Sequence, residues 1–405
     1  MGATHRKLDL TGERTDLGEG ANRFVGIAGT LGVLGLLASG VLGFTGGADP
    51  ARFYQSYLVA FVYFLSLTLG ALFFVLIQHL TRAGWSVVIR RIAEGFAANA
   101  LLLAVLAAPI VLGMGHLYEW TSAEAMAHSP LLAGKAPYLN RTFFVIRLAI
   151  YFLVWIGLSQ YFFSRSVRQD ATGDATITSA MQKVSAPAMF LFAITLTFAS
   201  FDLVMSLEPE WFSTIYGVYF FSGSMLGFMS LLPIVSFLLQ RSGRLSNVIS
   251  IDHYHDIGKL MFAFLVFWGY IAFSQYMLYW YANIPEETVW FLRRQTGEWR
   301  AFSWFMLLGH FLVPFLALIS RIPKRQKGAL ALGAVWMLFI HYADIYYLAM
   351  PHASEGKLPL HLLDLTCFVG IGGLWFAAFA NRMRGHALVP TKDPRLSESL
   401  AFENF

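Results

Sequence analysis

Histidines and carboxylates three or four residues apart inside long apolar runs are the residues of this chain most able to do chemistry. His341-Tyr342-Ala343-Asp344 sets an imidazole and a carboxylate on one helical face, and burial can bring their proton affinities close enough for exchange. His310 falls at matching depth in the preceding, antiparallel run, and Ser274, Gln275 and Tyr279 fall in the run before that. These residues are candidates for one half of a proton path, and the competing reading is an interhelical hydrogen bond that only fixes packing. A second cluster, Asp252-His253-Tyr254-His255-Asp256-Ile257-Gly258-Lys259, puts His255, Asp256 and Lys259 three or four residues apart. It reads as a proton-entry site or as an interfacial anchor with a local ion pair. One histidine pair is thin support for a bis-histidine haem b in a chain with 11 histidines.

A third group comprises Arg147, Asp202, His116 and Glu119. Arg147 and Asp202 carry opposite charge at comparable depth, so a buried ion pair is the default; the functional alternative is a quinone-headgroup pocket with proton acceptors beside it. Two acidic, Pro-containing segments, Glu208-Pro209-Glu210-Trp211 and Pro285-Glu286-Glu287, offer Glu208, Glu210, Trp211, Glu286 and Glu287 as candidates for partner docking. Glu94, His361 and Asp364 read as interfacial residues. A single cysteine, Cys367, excludes internal disulfides, cysteine zinc sites, cysteine-ligated iron–sulfur clusters and covalent haem c. No metal site, Gly-rich phosphate loop or nucleophile constellation is present in the sequence pattern.

The elements that carry these residues follow from composition. Of 405 residues, 57% are apolar and 13% charged, against about 25% charged in a soluble domain, so the chain is an integral membrane protein. The formal charge of +5 is spread between apolar runs, which argues against a nucleic-acid partner. Spanning a hydrocarbon core takes about 20 helical residues. Ten runs qualify: 24–44, 55–80, 91–117, 141–164, 187–207, 214–240, 254–282, 301–320, 328–350 and 361–381. Their continuous apolarity predicts helices, not barrel strands, hence an all-α polytopic bundle over 24–381 between tails 1–23 and 382–405. Lys and Arg concentrate in the loops on the side of both termini, Arg6 and Lys7 among them, which predicts cytoplasmic termini. The first run is longer than a signal-peptide core and reads as a retained span. The Pro-containing C-terminal tail reads as an extended docking or disordered segment.

Several stretches carry a resemblance. Ser206-Leu207-Glu208-Pro209-Glu210-Trp211-Phe212-Ser213-Thr214-Ile215-Tyr216-Gly217, His255-Asp256-Ile257-Gly258-Lys259-Leu260-Met261-Phe262-Ala263-Phe264, Phe273-Ser274-Gln275-Tyr276 and Tyr281-Ala282-Asn283-Ile284-Pro285-Glu286-Glu287-Thr288 resemble the second of the two large membrane-protein families of bacterial alternative complex III, which are of the polysulfide-reductase (NrfD-like) type. The resemblance covers essentially the whole chain. It implies a subunit of a quinol:cytochrome c, or terminal-oxidase-linked, oxidoreductase in the bacterial inner membrane. Two four-helix bundles are implied, spans two to five (55–207) and six to nine (214–350). The implied partners are a sister NrfD-like subunit, an iron–sulfur protein, multihaem and monohaem c-type cytochromes, small membrane subunits, a terminal oxidase and lipids. The subunit would hold no metal or covalent cofactor, with menaquinone or ubiquinone as the candidate ligand, and would contribute proton conduction and scaffolding. The competing classes are a stand-alone secondary transporter, for which Pro109 and Pro233 are the candidate helix breaks, and a purely structural membrane anchor.

Overall fold

The computed structural model describes residues 9–45, 49–354 and 356–404; Arg6 and Lys7 lie outside them. The chain is all-α, without strands among the described residues, and ten helices are long and apolar enough to cross a membrane: α1 (Gly20–Phe44), α2 (Pro50–Leu80), α3 (Val87–Leu112), α4 (Arg141–Thr172), α5 (Ala175–Leu207), α6 (Tyr216–Arg241), α7 (Ile251–Ala282), α8 (Gly297–Ile319), α9 (Lys327–Ala349) and α10 (Leu362–Met383). It is a multi-pass membrane protein.

Local chemistry sets the helix ends. Asn140 accepts from Phe143 N at 2.9 Å to start α4, and Gly173, at φ +71°, ends it in the left-handed conformation a glycine tolerates. Asp174 caps α5, Ser250 and His253 cap α7 reciprocally, and His361 with Asp364 does the same for α10. α6 runs unbroken through Pro233, whereas α3 is segmented at Ala98–Asn99 and again before Pro109.

α2 is the hub. It packs against α3, α5, α6, α9 and α10, and its side chains are buried almost throughout, from Tyr57 to His79. α2–α5 and α6–α9 each pack among themselves and meet along α2 and α6. α1 lies outside both sets, docked on α10 through facing glycines: a Cβ on Gly35 would sit 2.7 Å from the Gly370 backbone, and one on Gly373 2.6 Å from the Ala28 carbonyl. Without an apolar driving force between helices in lipid, close backbone packing of this kind holds the pair.

The two chain ends lie on one face of the bundle, where Arg384 donates to Asn22 at 2.9 Å and Leu388 N to Thr15 O at 2.5 Å. Of the two forms expected of the C-terminal tail, docking or disorder, it takes the first: it is packed on the bundle. Thr391 N donates to Asp170 at 2.8 Å, Asp393 pairs with Arg90 at 2.6 Å, and the short helix Leu396–Leu400 places Ser399 Oγ 2.6 Å from Trp85 O. The signal missed in its polar composition is long-range: each contact joins residues more than 200 apart in sequence.

Candidate functional site

The six buried carboxylates among the described residues are Glu94, Asp202, Glu208, Asp344, Asp364 and Asp393. Five of them have an arginine. Glu94 meets Arg90 at 3.2 Å and Arg91 at 3.1 Å, Asp202 meets Arg147 at 2.8 Å, Glu208 meets Arg293 at 3.0 Å and Arg294 at 3.1 Å, Asp364 meets Arg52 at 2.6 Å, and Asp393 meets Arg90. Asp344 is the exception. Tyr219 Oη of α6 donates to its Oδ1 at 2.6 Å and Trp268 Nε1 of α7 to its Oδ2 at 3.2 Å, and no cation lies within ion-pair distance among the described residues.

Two histidines lie near this carboxylate. His341, one helical turn earlier on α9, places Nε2 2.8 Å from Ser66 Oγ of α2, while its Nδ1 has no partner. His310 is fully buried with both ring nitrogens unpartnered, and its ring lies 3.6 Å, centroid to centroid, from Trp268. It sits in a π-helical turn of α8, Leu307–Leu312, an arrangement frequent at functional sites. Glycines make room for the group: a Cβ on Gly227 would fall 2.8 Å from the His341 ring, and one on Gly223 3.6 Å from Asp344 Oδ2. Asp344 and His310, grouped with His341 in the sequence, thus both meet Trp268, while His341 lies one turn from Asp344 on α9.

The other outer-path candidates are not part of this group. Asp344's oxygens are taken by Tyr219 and Trp268, not by Ser274, and Tyr279 Oη donates to Phe212 O at 2.6 Å. Gln275 is buried, its carbonyl oxygen unpartnered, in the wall of a cleft of about 900 Å³ between α7 and α8 that Tyr219 and Trp268 also line. Tyr219, Trp268 and Ser66 were not singled out in the sequence, because in a chain that is 16% aromatic a tyrosine or tryptophan carries no positional signal.

At the termini face, Asp256 pairs with Lys259 and also accepts from Asn404 of the tail. His255 is buried with Nδ1 unpartnered, and Lys259 is half exposed. From Asp256 to Trp268, about 18 Å along α7, the buried residues between them are Ile257, Gly258, Met261 and Leu265. A neighbouring polar group joins α6, α7 and α9: Tyr254 Oη and Lys327 Nζ both donate to Gln240 Oε1, at 3.0 and 2.8 Å. Just outside the spans, Lys324 Nζ donates to Leu318 O at 2.8 Å; burial, with the Lys259 charge behind it, lowers its proton affinity.

Arg147 and Asp202 form a closed unit. Arg147 donates to both Asp202 oxygens at 2.8 Å and to Tyr138 O at 2.8 Å, and Tyr151 Oη donates to Asp202 at 2.7 Å. Burial and the Asp202 charge push the nearby Tyr138 hydroxyl up to about 12. Neither His116 nor Glu119 joins the pair: His116 stacks on Tyr54 at 5.1 Å, and Glu119 is exposed. The Tyr138 hydroxyl is buried without a partner, but the Arg147 and Asp202 groups satisfy one another, the geometry of a structural ion pair. Of the docking candidates, Glu208 and Trp211 are turned inward; Trp211 stacks on Trp290 at 4.9 Å and donates to Glu287 O at 3.1 Å. Glu210, which accepts from Ser129 at 2.6 Å, and Glu286 stay exposed, while Glu287 is partly buried. Glu94 and Asp364, expected at the interface, are buried partners of arginines, and the Glu94 cluster extends through Arg91 to Asp170 at 2.9 Å. The spacing of Arg90, Arg91 and Glu94 carried this signal, since residues three and four apart face each other. No group of three or more His, Cys, Asp or Glu side chains among the described residues is arranged to hold a metal ion. No family model and no curated protein matches the chain.

Proposed function

We propose that this chain is a cofactor-free, proton-conducting and scaffolding membrane subunit of a respiratory quinol oxidoreductase complex. In this reading it lies in the bacterial inner membrane with both termini in the cytoplasm, the orientation that the Lys and Arg bias favours. Iron–sulfur and cytochrome c partners, together with a sister NrfD-like subunit, carry the electrons toward cytochrome c or a terminal oxidase, as the sequence resemblance implies.

The observation that carries the reading is Asp344: a fully buried carboxylate inside a membrane span, held by a phenol and an indole where every other buried carboxylate among the described residues has a guanidinium. A fixed ion pair keeps its charge state. A carboxylate whose partners are neutral donors can gain and lose a proton without stranding a cation, and intramembrane groups of this kind mark proton relays. His341, with a free ring nitrogen one turn away, and His310, against the same indole, are the groups to which that proton passes. His255, Asp256 and Lys259 are the entry residues at the opposite end of α7.

The experiment is affinity purification from native membranes followed by measurement of protons translocated per electron. Asp344→Asn keeps an oxygen to accept from Tyr219 or Trp268 and removes the titratable group, so the assembled complex is expected to retain quinol oxidation and lose translocation. Unchanged translocation in Asp344→Asn would refute the relay. A chain that purifies alone and colourless from intact membranes would refute membership of a respiratory complex and leave the secondary-transporter class.

A further inference from the structure

At the termini face, α3, α4 and α10 leave a recess of about 410 Å³. Its polar wall is built around Arg382. This guanidinium donates to Gln160 Oε1 at 3.0 Å, lies 5.4 Å from the Phe163 ring, and has no carboxylate within ion-pair distance among the described residues. The contact fixes the Gln160 amide with its oxygen toward Arg382, since the reverse orientation would set donor against donor. Gln160 Nε2 is thereby left buried without an acceptor.

Beside it, Asn99, 2% exposed, donates Nδ2 to Trp375 O at 2.9 Å, and its Oδ1 has no donor. Buried polar atoms without partners are uncommon enough in native structures that each calls for one. His386 and Asn381 complete the polar side; Asn381 holds Arg384, a second arginine without a carboxylate among the described residues. Burial and then the Arg91 charge lower the proton affinity of His386. The opposite wall is apolar and open to the bilayer, with Leu101 49% and Val105 68% exposed.

A free anion would meet the donors and leave the apolar wall idle; an acyl chain alone would leave Arg382 unmet. Basic pockets between spans bind anionic lipid headgroups. We propose that the recess binds a glycerophospholipid with an anionic headgroup, its phosphate on Arg382, which Gln160 positions, and one acyl chain along Leu101 and Val105. The unmet oxygen of Asn99 suits a headgroup hydroxyl, which a glycerol headgroup supplies. The site is independent of the proton relay around Asp344, in a different set of helices.

Native mass spectrometry of the full chain, with whatever subunits co-purify, tests it using phosphatidylglycerol, phosphatidylcholine of the same acyl chains and inorganic phosphate as probes. Phosphatidylglycerol is expected to be retained at least about tenfold better than phosphatidylcholine, and Arg382→Gln to reduce it to the phosphatidylcholine level. Arg241→Gln, at the exposed end of α6, should leave the preference intact, which separates a built site from general surface charge. Where Arg382→Gln does not fold, Gln160→Met serves, with the same direction of loss. Equal retention of both lipids, an unchanged preference in the recess variants, an equal loss in Arg241→Gln, or displacement of the lipid by inorganic phosphate would each overturn the proposal.

Discussion

Replacing Arg147 by methionine decides whether the Arg147–Asp202 pair is architecture or binding site. The side chains are 7% and 1% exposed, so solvent screening is slight. The substitution removes both hydrogen bonds to Asp202 and the one to Tyr138 O, all at 2.8 Å, and the stacking of the guanidinium on Tyr138 and Phe143 at 3.8 and 4.4 Å. Asp202 keeps only the 2.7 Å bond from Tyr151, an uncompensated buried charge. Removing one partner of a buried pair costs about 3–5 kcal/mol, of which the lost Tyr138 bond accounts for about 1. At about 1.4 kcal/mol per tenfold, the folded-to-unfolded ratio falls by a factor of at least about 100. Removing both charges in Arg147→Met/Asp202→Leu takes away the stranded carboxylate, so the double variant should be more stable than either single one. The assay is equilibrium unfolding in mixed micelles with increasing SDS, followed by tryptophan fluorescence. Additive losses, or single losses below about 1 kcal/mol, would refute the closed ion pair and return these residues to the quinone-pocket reading.

Three further outcomes are expected. Asp393→Ala leaves Arg90 sharing Glu94 with Arg91 and should loosen the tail, seen as trypsin cleavage at Lys392 or Arg395 accelerated about tenfold, the equivalent of about 1.4 kcal/mol of local opening; an unchanged rate would show that Ser399 and Thr391 hold the tail unaided. Gly35→Leu places side-chain atoms where a Cβ alone already meets the Gly370 backbone at 2.7 Å, whereas Gly40 has open space around it; cross-linking between cysteines placed in α1 and α10 should be lost in Gly35→Leu and kept in Gly40→Leu. His352, outside the spans, has its proton affinity lowered by burial from the ordinary 6.5. As pH falls below that value the unfolded chain takes up a proton that the folded chain does not, so stability declines from pH 6.5 down to the folded value and is flat above pH 7.5; His352→Gln should lessen the decline, and an identical pH profile would refute the assignment.

The helices were legible because a bilayer leaves few alternatives: a continuous apolar run of twenty or more residues satisfies its backbone only as a helix. The boundaries were less so. Several helices begin before, or run past, their apolar cores, as in α5, whose first three turns, 175–186, with Asp174 as cap, are of mixed polarity and lie before the expected stretch 187–207. At the site, residues sharing one helix face could be paired by arithmetic, as His341 with Asp344. Partners from other helices could not, because neither the identity nor the rotation of a facing helix is written in the local pattern. Trp268 is 76 residues from Asp344, Tyr219 125, and Ser66 275 from His341.

That difference explains why several acidic candidates changed character while Asp344 did not. Glu94, Asp364 and Glu208 looked exposed by position, near span ends or in a connecting segment, but each faces an arginine from its own helix or a distant one, and the pairing permits their burial. Such arginines also lock the charge they compensate, which suits structure and not transport. Asp344 is buried at greater cost, since two neutral donors offset desolvation less than a guanidinium would. The fold bears that cost at one carboxylate and there adds a π-turn histidine and two glycines that leave space beside it. Selection for stability alone would favour an arginine partner or an apolar side chain at that position, and it is this uncompensated carboxylate on which the proposed proton relay rests.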